Sequence, residues 1–307
     1  MEKFFQLRKN QTTVRTEIVA GITTFMAMAY ILVVNAGMFS ALDGVLYNSV
    51  YIATAISAVV GTLLIGLMAK LPLAQASGMG LNAFFVFTIC MGMKFTYANA
   101  LVMVLVDGIV FVLLTVTGLR RVIFEAIPKA VKMAISAGIG LFIAFLGMQN
   151  VNLIVGDPST KVGLHSFNIA FGSTTWAEIM PILVTIFAIV GIAVLSKKKV
   201  KGAVFWGIIG GAVLYYLLGF VSVGEFYETS VKSNLSLDII QPFRDFFDHS
   251  FFKVFTEGFD FSGYIDANGM GDFIVTFITS MLAFCMVDMF DTLGTLFGAC
   301  SVGGLLD

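Results

Sequence analysis

Residues 284–295 read Phe-Cys-Met-Val-Asp-Met-Phe-Asp-Thr-Leu-Gly-Thr and place Asp288 and Asp291 inside a long apolar run. A carboxylate at the centre of a bilayer costs about 2.5–3.5 kcal/mol on insertion scales, so it is kept only where it faces protein, water or a ligand. At helical spacing the two aspartates share one face with Phe284 and Thr295. This face therefore predicts the wall of a small polar site inside an apolar protein.

The composition around this run is that of an integral membrane protein. The chain has 307 residues, of which 58% are hydrophobic and 12% charged, and its mean hydropathy is +0.96. Soluble domains carry about 25% charged residues. The net charge of −1 indicates no particular partner, and no nucleic-acid partner is predicted. Three cysteines in or beside apolar runs and two histidines in loops predict neither a disulfide framework nor a metal site, and no cofactor is expected.

A spanning helix needs about 20 apolar residues, and the sequence contains eight candidates. Most of the 18 lysines and arginines fall in segments on the same side as the N-terminus, which predicts a cytoplasmic N-terminus. Between the last two candidates, the Phe-rich stretch Pro242–Phe255 is amphipathic and is expected to lie along the outer interface of the lipid bilayer. The candidate spans cover residues 17–40, 49–69, 73–93, 98–119, 129–148, 177–196, 201–222 and 271–299.

The third candidate is irregular, because Gly78-Met79-Gly80 interrupts it. Glycine allows backbone torsions that a helix forbids, so we expect an extended half before the break and a half-helix from Leu81 onward. Unwound backbone inside a membrane is tolerated only beside protein or a water-filled cavity. The half-helix would direct its free N–H groups and the Asn82 amide into that cavity. A simple helix N-cap or a close helix crossing would also explain the glycines.

The acidic pair also has two explanations, a polar network between helices or a transport pathway, and intramembrane acids often mark the second. Burial and a like-charged neighbour one turn away favour protonation, so Asp288 or Asp291 could carry a proton near neutral pH. An aromatic ring, Phe284 or Phe84, could cover one face of a flat ligand, although core packing is the commoner role of Phe284. For Asp107, alone in the fourth span, an interhelical hydrogen bond is the commoner explanation.

Three motifs together resemble one family, the azaguanine-type branch of the nucleobase permeases. Its bacterial members include guanine/hypoxanthine and adenine permeases. The resemblance covers all 307 residues, and its motifs occur in the expected order with the expected gaps. They are residues 17–30 (Glu-Ile-Val-Ala-Gly-Ile-Thr-Thr-Phe-Met-Ala-Met-Ala-Tyr), residues 77–85 (Ser-Gly-Met-Gly-Leu-Asn-Ala-Phe-Phe) and residues 287–295 (Val-Asp-Met-Phe-Asp-Thr-Leu-Gly-Thr).

The resemblance implies an all-α, multi-pass protein of the cell membrane that is not an enzyme. Its fold would have fourteen segments in two inverted repeats of seven, with a third segment that is part strand and part helix. It would import purine nucleobases coupled to protons, by an elevator-like motion, as a homodimer. By position, Asn82, Asp288 and Asp291 match the binding residues of the family. The implied organisation is a cytoplasmic N-terminus (1–16), core segments (17–119), gate segments (120–222), an extracellular loop (223–270) and the eighth segment of the core (271–307).

The sequence departs from the family in two ways. Ser77 stands where the family usually has proline. The chain also stops where a ninth segment would begin, so we expect a truncated or split gene product or a partial record, and a non-transporting fragment is one alternative. An anion carrier of the same fold is a second alternative, which two buried acids disfavour. An intramembrane aspartyl protease is a third, disfavoured because its acids commonly come from separate helices.

Overall fold

A computed structural model describes Leu7 and residues 12–169, 172, 174–200, 202–227, 238 and 240–303. Helices dominate this part of the chain, and its two short strands pair as an antiparallel hairpin, β1 (Ile154–Asp157) with β2 (Lys161–Leu164). Two π-helical segments, Ile65–Ala69 and Phe84–Gly92, continue α3 and α4. The α-helices are α1 Val14–Met28, α2 Tyr30–Phe39, α3 Tyr47–Leu64, α4 Met79–Ala83, α5 Tyr97–Val116, α6 Leu119–Ala126, α7 Lys129–Asn150, α8 Trp176–Lys197, α9 Ala203–Ser222, α10 Ile240–His249, α11 Lys253–Thr256, α12 Ser262–Asn268 and α13 Met270–Val302.

Within the described residues, six helical stretches are long and apolar enough to cross a membrane. Two further stretches, Met79–Gly92 and Ala137–Asn150, are apolar but shorter, and they fall where the sequence predicted the third and fifth spans. The eight predicted spans therefore all correspond to apolar helices. The six long stretches are Val14–Phe39, Tyr47–Ala69, Tyr97–Val116, Trp176–Lys197, Ala203–Ser222 and Met270–Cys300.

The chain divides into two compact units, of which the first comprises Met1–Tyr30, Ile65–Ala74 and Ala144–Asp238. Its centre is the pair α8–α9, which are joined by a tight connection with Gly202 in the left-handed conformation (φ +71°). The two helices approach closely where glycines of α9 face α8, and the indole N–H of Trp176 donates to Ser222 Oγ at 2.8 Å. A small core of Met180, Val184 and Phe226 completes this unit.

The second unit comprises Ile31–Leu64, Gln75–Ile143 and Ile239–Asp307, and it contains the third and eighth predicted spans. Helix α13 packs along α5 and against α4, and α10 packs on α3. An apolar core joins α2, the π-helix Phe84–Gly92, α5 and α13. The predicted amphipathic stretch begins within α10, where Asn48 Nδ2 donates to the buried Asp245 and Phe243 and Phe247 stay exposed.

The third predicted span is interrupted as expected, because no helix forms over residues 70–78. Its helical half begins at Met79, however, and not at Leu81 as the sequence predicted. Gly78 is the N-cap, with extended torsions (φ −72°, ψ 116°) open to any residue, and Gly80 already lies inside the helix. The break therefore ends at Gly78 and does not include Gly80, and backbone freedom is not the reason that glycine occupies position 78.

Candidate functional site

The unwound stretch before α4 is fastened to α3. The hydroxyl of Thr62 accepts a hydrogen bond from the Gln75 N–H at 2.9 Å and donates to the Gln75 carbonyl at 3.3 Å. Gly61 permits this contact, because a Cβ there would lie 2.8 Å from Gln75 Cγ. A side chain thus satisfies backbone groups that neither a helix nor lipid satisfies here. This anchor fixes the direction from which the chain enters α4.

Position 78 is glycine because Asp291 lies against it. A Cβ built on Gly78 would be 2.6 Å from Asp291 Oδ2, which is closer than real Cβ contacts. The Asp291 carboxylate therefore lies at the N-terminal end of α4, where backbone N–H groups without helical partners and the helix dipole both favour negative charge. The broken third span and the acidic eighth span, which the sequence indicated separately, meet at this point.

Gly80 has a different role from Gly78. A Cβ built there would lie 3.7 Å from Phe142 Cε1, an ordinary van der Waals distance. The sequence treated both glycines as parts of one backbone break. The structure corrects this view, since only Gly78 makes a close approach to the acidic helix.

Asn82, one turn into the helical half, belongs to a buried relay of polar side chains. Its Nδ2 donates to Asn35 Oδ1 at 2.6 Å, Asn35 Nδ2 donates to Thr54 Oγ1 at 2.7 Å, and Thr54 Oγ1 donates to the Val50 carbonyl at 2.7 Å. Asn35 and Thr54 are buried. The relay uses one of the two N–H groups of Asn82, so that amide still has a second donor and its carbonyl oxygen for another partner.

Asp288 interacts with two other carboxylates. It interacts electrostatically with Asp291 on its own helix and with Asp107 on α5. Its Oδ1 accepts a hydrogen bond from Thr292 Oγ1 at 3.3 Å. Both aspartates of the predicted pair are partly buried, and the site they form includes a third acid that the pattern within α13 did not indicate.

The two aromatic residues of the prediction touch each other. Phe284 is 1% exposed and packs in the core of this unit, so the structure gives it the packing role that was the commoner expectation. Phe84 is only partly buried and meets Phe284 edge to face, with ring centroids 4.9 Å apart. Of the two rings, Phe84 is the more accessible, and Phe284 supports it from behind.

Four site residues were missed or undervalued in the sequence. Asn35 and Thr54 stand alone in apolar helices, and only the fold shows that they orient Asn82. The Ser77 hydroxyl is buried beside Gly78 without a hydrogen-bond partner in the described part of the chain. Asp107 interacts across helices with the Cys285 thiol, as expected, but it also interacts electrostatically with Asp288. The only sequence signal for them was a polar residue within an apolar run.

With this geometry established, comparison with known proteins identifies the class. The model of the permease family (Xan_ur_permease) matches residues 15–306. The chain belongs to this family, as its motifs predicted, and the family is one of multi-pass membrane permeases and not of enzymes. No solved structure matches the chain.

Three relatives are named for the bases they carry. The chain is 36% identical to the guanine/hypoxanthine permease PbuG of Bacillus subtilis. It is 33% identical to PbuO, a second guanine/hypoxanthine permease of that organism. It is 30% identical to the adenine permease AdeP of Escherichia coli. The matches cover 100%, 98% and 100% of this chain, but 64%, 62% and 60% of those relatives. The chain thus spans less than two thirds of the length of the curated relatives it matches.

Proposed function

We propose that this protein imports a purine nucleobase, guanine, hypoxanthine or adenine, together with protons across the cell membrane. The observation that carries the proposal is the meeting of Asp291 with the open N-terminus of α4, one turn from the Asn82 amide. The relatives named guanine/hypoxanthine and adenine permeases support the substrate class.

The chemistry of this arrangement suits a flat, neutral, hydrogen-bonding solute. A purine presents ring N–H donors, which the carboxylates of Asp288 and Asp291 accept, and ring-nitrogen or carbonyl acceptors, which Asn82 and backbone N–H groups satisfy. Phe84 covers one face of the ring, with Phe284 behind it. Negative carboxylates at a positive helix end leave little net charge for an anion to neutralise, which disfavours the anion-carrier alternative.

The wider architecture is part of the same proposal. The eight apolar helical segments correspond to the first eight of fourteen segments arranged as two inverted repeats, with residues 17–119 and 271–307 in the core and residues 120–222 in the gate. The N-terminus is cytoplasmic, and the working unit is a homodimer. Protonation of Asp288 or Asp291 links the charge of the site to the proton gradient.

Uptake of radiolabelled hypoxanthine, guanine and adenine tests the function. The complete gene product is expressed in a host that lacks its own purine permeases, and an inward proton gradient is imposed. We expect saturable uptake of at least one base, and loss of that uptake in Asp291→Asn, Asp288→Ala and Asn82→Ala.

The matched control is Asn268→Ala. Asn268 is an exposed asparagine of α12 whose Nδ2 donates to the Tyr264 carbonyl at 3.1 Å, away from the site, and its loss should leave uptake unchanged. Purine uptake that survives the three site changes would refute the site assignment. Inhibition of transport by sulfate or bicarbonate, with none by purines, would refute the substrate class.

A further inference from the structure

Asp107 is the most deeply buried acid of the site region. It lies in the middle of α5, with 5% of its surface exposed. Its Oδ1 atom has no hydrogen-bond partner in the part of the chain that the structure describes. A buried carboxylate oxygen without a partner is costly while it is charged. A protonated carboxyl group avoids this cost, because it is neutral and its O–H can itself donate.

Two groups interact electrostatically with Asp107, and both come from α13. They are the Cys285 thiol and the carboxylate of Asp288. Among the described side chains on other elements packed against α5, Lys253 pairs with Glu257 at 3.4 Å, Glu125 has an interaction partner, and Cys90 interacts electrostatically with Tyr97 of α5. In the described residues, therefore, an acid and a thiol interact with Asp107, and no cation does.

Two carboxyl groups that interact electrostatically in a medium of low dielectric constant are stabilised when the pair holds one proton. A bound metal ion would also stabilise two neighbouring carboxylates. No group of three histidine, cysteine or acidic side chains that could hold a metal ion occurs among the described residues, however. We propose that Asp107 is a proton-binding residue of this transport site and shares one proton with Asp288. This inference rests on the proposed function.

In this proposal the three acids have two different roles, proton binding and substrate binding. The proton enters from water on one side of the membrane, binds a carboxylate oxygen of the Asp107–Asp288 pair, and is released to water on the other side, with no other bond made or broken. Asp291, against the N-terminal end of α4, accepts hydrogen bonds from the substrate. Asp107 thereby joins Asp288 as the site of coupling, and Asp291 is left to bind the base.

The test separates coupling from binding. The complete gene product is reconstituted in vesicles, and two rates are measured for the wild type and for Asp107→Asn: exchange of purine at equal pH on both sides, and accumulation driven by a pH gradient. We expect the variant to keep exchange and to lose both gradient-driven accumulation and the pH dependence of uptake. Asp272→Asn is the control, because Asp272 is an exposed acid of the same helix that accepts a hydrogen bond from the Tyr264 hydroxyl. It should keep both activities.

Each outcome bears on the inference. Gradient-driven accumulation that persists in Asp107→Asn would overturn it, and so would loss of exchange as well as accumulation in a well-folded variant. Absence of purine exchange in the wild type would overturn the proposed function instead.

A measurement on the unaltered protein does not depend on how the variant folds. A hydrophobic carbodiimide, which reacts with protonated carboxyl groups, should label Asp107 or Asp288 at neutral pH and spare Asp272, as read by mass spectrometry of peptides. Labelling of neither residue would overturn the inference.

Discussion

The pairs α8–α9 and α5–α13 are both made of long apolar helices, yet they are held together in different ways. The first pair meets through small residues, with Gly207 and Gly211 pressed against Ile192 and Ala188. The second pair buries polar groups, notably Asp107, which interacts electrostatically with Asp288. Since lipid is as apolar as these helices, packing alone is enough to join the first pair. Burial of the acids in the second pair costs free energy and adds no packing, which is typical of a functional site.

The largest effect on function is expected from a substitution at Gly78. In Gly78→Ala the new methyl group must displace the Asp291 carboxylate, which lies 2.6 Å from the Cβ position. Loss of one hydrogen bond to a charged group costs about 1.5–3 kcal/mol, which is roughly a 10- to 150-fold loss of substrate affinity. Binding of labelled base to the complete protein measures it.

Gly80→Ala is the matched control, since its Cβ would lie 3.7 Å from Phe142. Alanine is also the better helix former within α4. We expect substrate affinity close to that of the wild type. If both alanine variants bind equally well, the contact between Asp291 and the helix end does not support binding.

A substitution between α8 and α9, the packed pair, should lower the stability of the protein and leave its substrate affinity unchanged. A Cβ on Gly207 would overlap Ile192 Cγ1, so Gly207→Ala forces α8 and α9 apart. Overpacking of this kind costs about 1–3 kcal/mol. The thermal unfolding midpoint in detergent should fall. Gly210→Ala, on the same helix with open space around its Cβ, should leave it unchanged.

Adding Ile192→Ala to Gly207→Ala tests the cause. That change removes the Cγ1 and Cδ1 atoms that overlap the new methyl group. The double variant should therefore lose less stability than the sum of the losses in the two single variants. Additive losses would mean that the helices are held by other contacts.

A smaller effect is expected from the relay behind Asn82. Asn35→Ala removes the acceptor of the 2.6 Å hydrogen bond that orients this amide. A neutral hydrogen bond contributes about 0.5–1.5 kcal/mol, so the KM for uptake should rise roughly 2- to 12-fold. Ser40→Ala, which loses only a local contact to the Gly37 carbonyl, is the control. An unchanged KM in Asn35→Ala would show that Asn82 is oriented in another way.

The smallest effect concerns the exposed turn between β1 and β2, in the unit that contains the packed pair. Hydrogen bonds from the Thr160 and Ser159 N–H groups lower the pKa of Asp157. A group whose pKa is lowered by folding stabilises the folded turn above its ordinary pKa, and this contribution is lost as the pH falls through the lowered value. The protection of the Ser159 and Thr160 amides from hydrogen exchange, expressed relative to the intrinsic exchange rate at each pH, should therefore be high at neutral pH and fall under acid. Asp157→Asn should flatten this dependence, and a flat profile in the wild type would contradict it.

Some of the site could be predicted from sequence because its residues break a local rule. Asp288 and Asp291 violate the apolarity of their span, and Gly78-Met79-Gly80 violates helix propensity, so each stands out without any knowledge of its neighbours. Asn35 and Thr54 break no such rule, because hydroxyl and amide groups are tolerated singly in apolar helices. Their importance lies in contacts with residues that are distant in the chain.

The sequence by itself determined the apolar spans, the interruption of the third one, the acidic face of the eighth and the family to which the chain belongs. The spans, the interruption and the acidic face are properties of composition and periodicity, which act over one or two helical turns, and the family follows from the resemblance of three motifs. Only the tertiary structure decided that Gly78 makes room for Asp291, that Gly80 does not, and that Asp107 interacts with Asp288. Those relations depend on how closely separate helices approach, and that distance is set by the packing of many side chains at once.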